Sequence, residues 1–145
     1  APEQLTSDHG WDVLSNYTLL NEVCMEFQKN NIRISLFMDP VSMQLELAKK
    51  AGADRIEFYT GPYAHGYEIG LDKASIVAGF KAVLPLLEDL GLGINAGHDL
   101  NLDNLLFLKQ SIPDLLEVSI GQAFVRDCLY YGLENTINMY KRLLV

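Results

Sequence analysis

The chain is poor in cysteine: it has two, Cys24 and Cys128, with no CxxC motif or Cys/His cluster beside either. That argues against a disulfide scaffold or a zinc site and fits a reducing cytoplasm. Positive charge is also scarce. Eleven Lys and Arg against nineteen Asp and Glu leave a net charge of −8, which opposes nucleic acid as a partner. Any anionic ligand has to be held by local backbone N–H groups and helix ends. No apolar run approaches the roughly 20 residues of a membrane helix. No positively charged leader opens the chain, which starts Ala1-Pro2, so neither membrane spanning nor secretion is expected.

The 145 residues are about one domain, and with 49% apolar and 21% charged residues the composition is globular rather than disordered. Four short apolar runs, Ile32–Phe37, Arg55–Tyr59, Gly91–Asn95 and Leu116–Ile120, have the continuous hydrophobicity of strands buried in a parallel sheet. Helical patterns lie between them. Leu19, Leu20, Val23 and Phe27 mark one face before the first strand; Met43, Leu47 and Ala51 mark a second helix, with Gly52 placed to end it. Asp72 reads as the N-cap of a third, carrying Ile76, Phe80, Val83 and Leu87. A fourth runs from about Asn101 or Asp103 to Gln110 before Pro113, and Leu133, Ile137, Tyr140 and Leu144 form a last stripe expected to pack on the sheet. Gly61–Leu71, rich in Gly and Tyr, reads as an extended loop over one end of the sheet.

Short strand–helix connections force parallel pairing and right-handed crossovers. Two folds fit, a small open α/β sheet or half of a (β/α)8 barrel, since a whole barrel needs about 250 residues. Each expected strand stops in polar or Gly-rich sequence, where ligands and catalytic groups gather in parallel α/β folds. Glu57 interrupts the apolar run Arg55–Tyr59 on the face opposite Ile56 and Phe58, so it needs a partner or a ligand if buried. The alternative is a solvated edge glutamate or one paired with a structural arginine. His98 ends Gly93-Ile94-Asn95-Ala96-Gly97-His98 and projects from the strand's mouth as a candidate acid–base group, or as a loop histidine that caps the next helix. The junction Ser119-Ile120-Gly121-Gln122-Ala123 offers backbone N–H groups to an anion, although many such glycines are only turn residues. His9 and His65 read as surface histidines in mobile loops, and neither cysteine has a base beside it.

Taken together and in order, Gly52-Ala53-Asp54-Arg55-Ile56-Glu57, Tyr59-Thr60-Gly61-Pro62-Tyr63-Ala64 and Gly91-Leu92-Gly93-Ile94-Asn95-Ala96-Gly97-His98 resemble the pyridoxine 5′-phosphate synthase family. Ser35-Leu36-Phe37 with Asp39, Glu117-Val118-Ser119-Ile120-Gly121 and Met139-Tyr140-Lys141-Arg142-Leu143 continue the resemblance over essentially the whole chain. It implies the C-terminal half of a (β/α)8 TIM barrel, with four parallel strands alternating with helices, so that residues 1–145 are a single partial domain lacking the first three or four strands. The implied enzyme condenses 1-deoxy-D-xylulose 5-phosphate with 3-amino-2-oxopropyl phosphate to pyridoxine 5′-phosphate in vitamin B6 biosynthesis. Its implied partners are these phosphorylated small molecules, with no metal or organic cofactor, and the family forms higher oligomers in the cytoplasm.

By the same resemblance His98 is the proton donor and Glu57 the transition-state stabiliser. Thr6 contacts the deoxyxylulose phosphate, while Asp99, Gly121 and Gln122 bind the aminoketone and its phosphate. The chain departs from the family pattern at Gln122, usually histidine, at Tyr59, where histidine is common, and at Asp99, glycine in some members. Glutamine still donates a hydrogen bond to phosphate but adds no proton or charge. The family's Asn-x-Asp-His segment, its His- and Arg-rich segment and a further catalytic glutamate have no counterpart here. The expectations are therefore a fragment inactive alone, with exposed sheet edges that favour self-association. Another phosphate-binding barrel enzyme and a non-catalytic α/β interaction module stand as alternatives.

Overall fold

The apolar runs form four parallel strands that pair in chain order, β1 (Ser35–Met38), β2 (Arg55–Tyr59), β3 (Gly93–Gly97) and β4 (Leu115–Ser119). The structure, a computed structural model, describes residues 6–145. Helix α1 (Tyr17–Lys29) precedes the sheet and α2 (Ser42–Ala51) links β1 to β2. Helices α3 (Gly61–Glu68) and α4 (Lys73–Leu90) link β2 to β3, α5 (Leu105–Ser111) links β3 to β4, and α6 (Gln122–Tyr131) and α7 (Leu133–Leu143) end the chain. The expected α/β repeat with four parallel strands is thus observed.

Alternation along the strands divides the sheet into two faces. Leu36, Met38, Ile56, Phe58, Ile94 and Ala96 are buried in one core with Leu45 and Ala48 of α2, Val77, Phe80, Val83 and Leu87 of α4, and Leu105 and Leu108 of α5. Phe58 and Phe80 meet across the helix–sheet interface with ring centroids 5.0 Å apart. The other face carries Ser35, Phe37, Arg55, Glu57, Tyr59, Asn95, Glu117 and Ser119, aligned across the strands by the parallel register. Near its strand starts, Arg55 donates to Asn95 Oδ1 at 3.2 Å and to Glu117, Arg33 reaches Glu117 at 3.1 Å, and Asn95 donates to Ser35 at 3.4 Å. The register between β3 and β4 slips beside Leu116, which is exposed.

Helix ends follow the local chemistry. Asp72 caps α4 by accepting from the Ser75 amide at 2.9 Å, and Gly52 and Gly91 close α2 and α4 at φ of 106° and 60°. Pro85 lies within α4, where burial of Val83 and Leu87 on either side outweighs the lost backbone hydrogen bond.

Several expected boundaries shift. β1 begins at Ser35 because the Ile32 amide turns back onto the Phe27 carbonyl at 3.0 Å, leaving Ile32 half exposed. β3 begins at Gly93 because Gly91 is spent as the helix cap, and β4 begins one residue earlier than expected, at Leu115. Gly61–Leu71 is not an extended loop: Gly61–Glu68 is the helix α3. Pro62 suits its first turn, and Gly66 lets it press against Ile76, where an added Cβ would lie 2.7 Å from Cγ2. Tyr63 is buried under this helix, and its hydroxyl donates to the Asn104 carbonyl at 2.6 Å. Burial, chiefly, pushes the Tyr63 phenol above its ordinary value.

Three apolar faces also turn out differently. On α1 the buried line is Leu20 and Cys24, while Leu19, Val23 and Phe27 stay exposed. On α2, Leu45, Ala48 and Ala51 are buried and Met43 is exposed. α7 packs on α6 and α5 rather than on the sheet. It buries Thr136 and Tyr140 and leaves Leu133 and Ile137 exposed. The Tyr140 hydroxyl donates to buried Asp127 at 2.7 Å, and desolvation followed by that carboxylate raises its pKa.

Candidate active site

β2 presents Arg55, Glu57 and Tyr59 on the open face, from strand start to strand end. The register sets Glu57 between Phe37 on β1 and Asn95 on β3, and Tyr59 beside Gly97. Glu57 leans over Gly97, where an added Cβ would lie 2.1 Å from its Oε1. Among the described residues no hydrogen bond reaches the Glu57 carboxylate, so this half-buried group is available to a ligand.

Above it runs a row of rings. Tyr59 sits against Phe37 with centroids 5.4 Å apart, and meets His98 edge-on at 5.0 Å and 85°. Burial first, then the carboxylates of Asp99, Asp8 and Asp39, raises the Tyr59 pKa, which keeps its hydroxyl protonated. That hydroxyl lies against Gly61 at the start of α3, where an added Cβ would come within 2.4 Å.

β3 ends in a strained turn. His98 and Asp99 both have positive φ, 93° and 58°. For residues other than glycine each such conformation costs on the order of 1–3 kcal/mol and has to be enforced by its surroundings. Buried Thr60 is one such clamp: its Oγ1 lies 2.7 Å from the Gly97 carbonyl and 2.6 Å from that of His98, and its amide donates to Gly97. Buried Asn104 is another, donating to the Asp99 carbonyl at 3.2 Å.

The segment before α1 is fastened across the end of β1. The Gly10 amide donates to Asp39 Oδ2 at 3.0 Å, and the Trp11 amide donates to the Phe37 carbonyl at 2.8 Å. Gly10 has to be glycine here, because a Cβ would lie 2.3 Å from the Asp39 nitrogen. This docking brings Thr6 to the site, with its Oγ1 3.2 Å from His98 Nε2. The other ring nitrogen, Nδ1, lies 2.9 Å from Asp99 Oδ2.

Of the residues singled out in the sequence, Thr6 and Asp99 therefore each touch His98, and Glu57 lies against Gly97, the residue before it. Gly121 and Gln122 stand at the same end of the sheet after β4, exposed at the first turn of α6, with no hydrogen bond to the group around His98. His9 is on the surface, paired with Asp8, and His65 lies exposed on α3 rather than in a loop. Cys24 is buried, and desolvation followed by Asp54 raises its thiol pKa; Cys128 is half buried. Among the described residues no cluster of three or more His, Cys, Asp or Glu is placed to hold a metal ion, and no helix is long and apolar enough to cross a membrane.

Sequence reasoning passed over Thr60 and Asn104, whose contribution is to hold a backbone turn. Their only sequence signal is position, one directly after a strand and the other at the head of a helix. The Asp99 side chain was likewise missed as a partner of His98.

Parallel strands alternating with helices, with acid–base side chains gathered where the strands end, define a partial (β/α) barrel with its candidate site at the C-terminal rim. The chain belongs to the family described as pyridoxal phosphate biosynthesis protein PdxJ, which matches residues 1–145. It is 54% identical over 140 residues to a pyridoxine 5′-phosphate synthase of Flavobacterium johnsoniae, covering 97% of this chain and 58% of that protein. Synthases of Cytophaga hutchinsonii and Parabacteroides distasonis are each 49% identical over 144 residues, covering 99% of this chain and 60% of theirs. The chain thus spans about three fifths of the length of the curated relatives it matches.

Proposed function

We propose that this chain is the C-terminal part of a pyridoxine 5′-phosphate synthase, condensing 1-deoxy-D-xylulose 5-phosphate with 3-amino-2-oxopropyl phosphate and releasing phosphate and water. The observation that carries this reading is the meeting of Thr6 and Asp99 on His98 at the strand ends, next to a Glu57 that has no hydrogen-bond partner among the described residues, in a chain of that family. Closing a pyridine ring by imine formation, proton transfer at carbon and loss of water calls for several acid–base groups around one cavity. His98 serves as proton donor. The Glu57 carboxylate, without a hydrogen-bond partner among the described residues, stabilises positive charge that develops on the condensing amine. Thr6 binds the deoxyxylulose phosphate. The backbone at Asp99 and the N–H groups at Gly121 and Gln122 hold the aminoketone and its phosphate without any need for a basic surface.

The remaining two fifths of the relatives' length supply the missing strands of the barrel. Two exposed apolar stripes support this. Leu19, Val23 and Phe27 line α1, next to the first strand, and Val125 and Leu129 line α6, next to the last. Exposed stripes of this kind on helices flanking both free sheet edges suit a segment that closes the sheet on itself. The complete protein associates into homo-oligomers and works in the cytoplasm.

The test is product formation by the complete protein from the two substrates, compared with its His98→Ala and Glu57→Gln variants. Turnover lost in both variants with unchanged melting supports the reading, and turnover unaffected by His98→Ala removes it. The 145-residue chain alone is expected to form no product.

A further inference from the structure

We propose that Asp99 is a positioning residue: its carboxylate fixes the His98 imidazole in one tautomer and one orientation, with Nε2 facing Thr6. This rests on the reading of His98 as the proton donor and adds to it a role toward His98 for the side chain of Asp99, which the resemblance gives only as a substrate-binding position. A carboxylate can only accept, so the 2.9 Å contact between Asp99 Oδ2 and His98 Nδ1 requires the proton on Nδ1. In the neutral ring Nε2 is then the unprotonated nitrogen, the one that takes up a proton for delivery to substrate. It lies 3.2 Å from Thr6 Oγ1, whose hydroxyl serves as its donor.

The backbone is shaped for this contact. Side chains at adjacent positions of an extended strand point to opposite faces. Here the chain leaves the extended conformation at both His98 and Asp99, with φ of 93° and 58°, and the two side chains turn toward each other. Asp and His tolerate the left-handed region better than most residues, yet neither adopts it without constraint. The constraint comes from below: Thr60 holds the carbonyls of Gly97 and His98, and Asn104 holds that of Asp99. Tyr59, edge-on to the imidazole, blocks rotation of the ring on the remaining side. The ring is therefore held by a carboxylate on one nitrogen, a hydroxyl on the other and a T-shaped contact with Tyr59. At metal centres, a carboxylate that fixes a histidine ring through its other nitrogen contributes about 10- to 100-fold to affinity or activity, and the same scale is expected here.

The informative variant is Asp99→Gly, because glycine accepts the positive φ freely and deletes only the side chain. In the complete protein we expect kcat to fall about 10- to 100-fold with KM within about twofold, and melting to be unchanged or raised. Nitrogen-15 spectra of the histidines in alkaline buffer are expected to show His98 with its proton on Nδ1, and a mixture of tautomers in Asp99→Gly. Asp99→Asn, which keeps an acceptor oxygen but no charge, should fall between the two. If Asp99→Gly leaves both kcat and the tautomer unchanged while His98→Ala abolishes turnover, the positioning role is overturned and the synthase reading stands. If His98→Ala retains turnover, the synthase reading fails instead. The tautomer measurement needs no turnover and still decides whether Asp99 orients the ring.

Discussion

The Glu57 carboxylate occupies the space that a side chain at Gly97 would fill, with Oε1 2.1 Å from the position of an added Cβ. Glycine is therefore the only residue at that point of β3 compatible with the observed place of Glu57. The next residue is His98, so one missing methyl group lets the carboxylate lie against the residue that precedes the imidazole. Gly97→Ala is expected to push Glu57 aside and also to crowd Ser119 Cβ, 3.0 Å away. Overpacking of this sort costs about 1–3 kcal/mol. The expected outcome in the complete protein is a lower melting temperature together with a drop in kcat larger than the change in KM. Wild-type turnover in Gly97→Ala would show that the position of Glu57 is not needed.

Thr60 offers a separate handle on the strained turn. Thr60→Val keeps the shape but removes the one hydroxyl proton that the Gly97 and His98 carbonyls share, so Gly97 keeps the Thr60 amide and the His98 carbonyl loses this donor. Loss of a buried partner costs about 1–3 kcal/mol, whereas Thr60→Ser restores the donor and should recover most of it. Chemical denaturation of the three proteins measures this. Equal midpoints for Val and Ser would mean that the hydroxyl holds nothing.

Two buried phenols set an alkaline limit on stability. Burial raises the pKa of Tyr63 and, with Asp127, that of Tyr140, whereas both titrate near the ordinary value of about 10 in the unfolded chain. A folded-state pKa raised above the unfolded one contributes stability that is complete below about pH 10 and is lost as pH rises past it. Unfolding free energy should therefore decline above about pH 10, and Tyr63→Phe and Tyr140→Phe should each flatten the decline. Tyr63→Phe should also lower stability at neutral pH, since the Asn104 carbonyl keeps the Leu108 amide but loses the shorter of its two hydrogen bonds. Denaturation midpoints measured from pH 7 to 11 test both statements.

The 145-residue chain by itself should self-associate. Leu19, Val23 and Phe27 on α1 are 52, 39 and 43% exposed, and Val125 and Leu129 on α6 are 61 and 83% exposed. Charged substitutions such as Val23→Glu and Leu129→Glu are expected to reduce association of the isolated chain and to impair folding of the complete protein. Sedimentation velocity on both forms separates these effects. A monodisperse monomer for the unsubstituted chain would count against barrel closure over these stripes.

What the sequence by itself determined is the order and type of most elements, because strand and helix periodicity and end signals are local. The run Arg55–Tyr59 is a strand end to end, Asp72 caps α4, and Gly52 closes α2, as their neighbours dictate. The parity of Glu57 was also local, since alternate residues of a strand must face opposite ways. Where local signals competed, tertiary packing decided. The Gly- and Tyr-rich stretch after β2 became helix α3 because the Tyr63 hydroxyl finds a buried acceptor in the Asn104 carbonyl and Gly66 permits contact with Ile76, neither of which is near in sequence. The stripes on α1 and α7 could not be assigned to core or surface from spacing alone, since that depends on which neighbour each helix meets.

The chemistry of the site divides in the same way. Residue types at strand ends were legible along the chain, but their convergence was not. Thr6 and His98 are 92 positions apart and meet only because Gly10 and Trp11 are hydrogen-bonded to the end of β1. The Asp99 contact needs two consecutive residues at positive φ, a conformation that no local preference selects and that Thr60 and Asn104 impose from other elements. Sequence set the parts and their order; long-range hydrogen bonds set which atoms face one another.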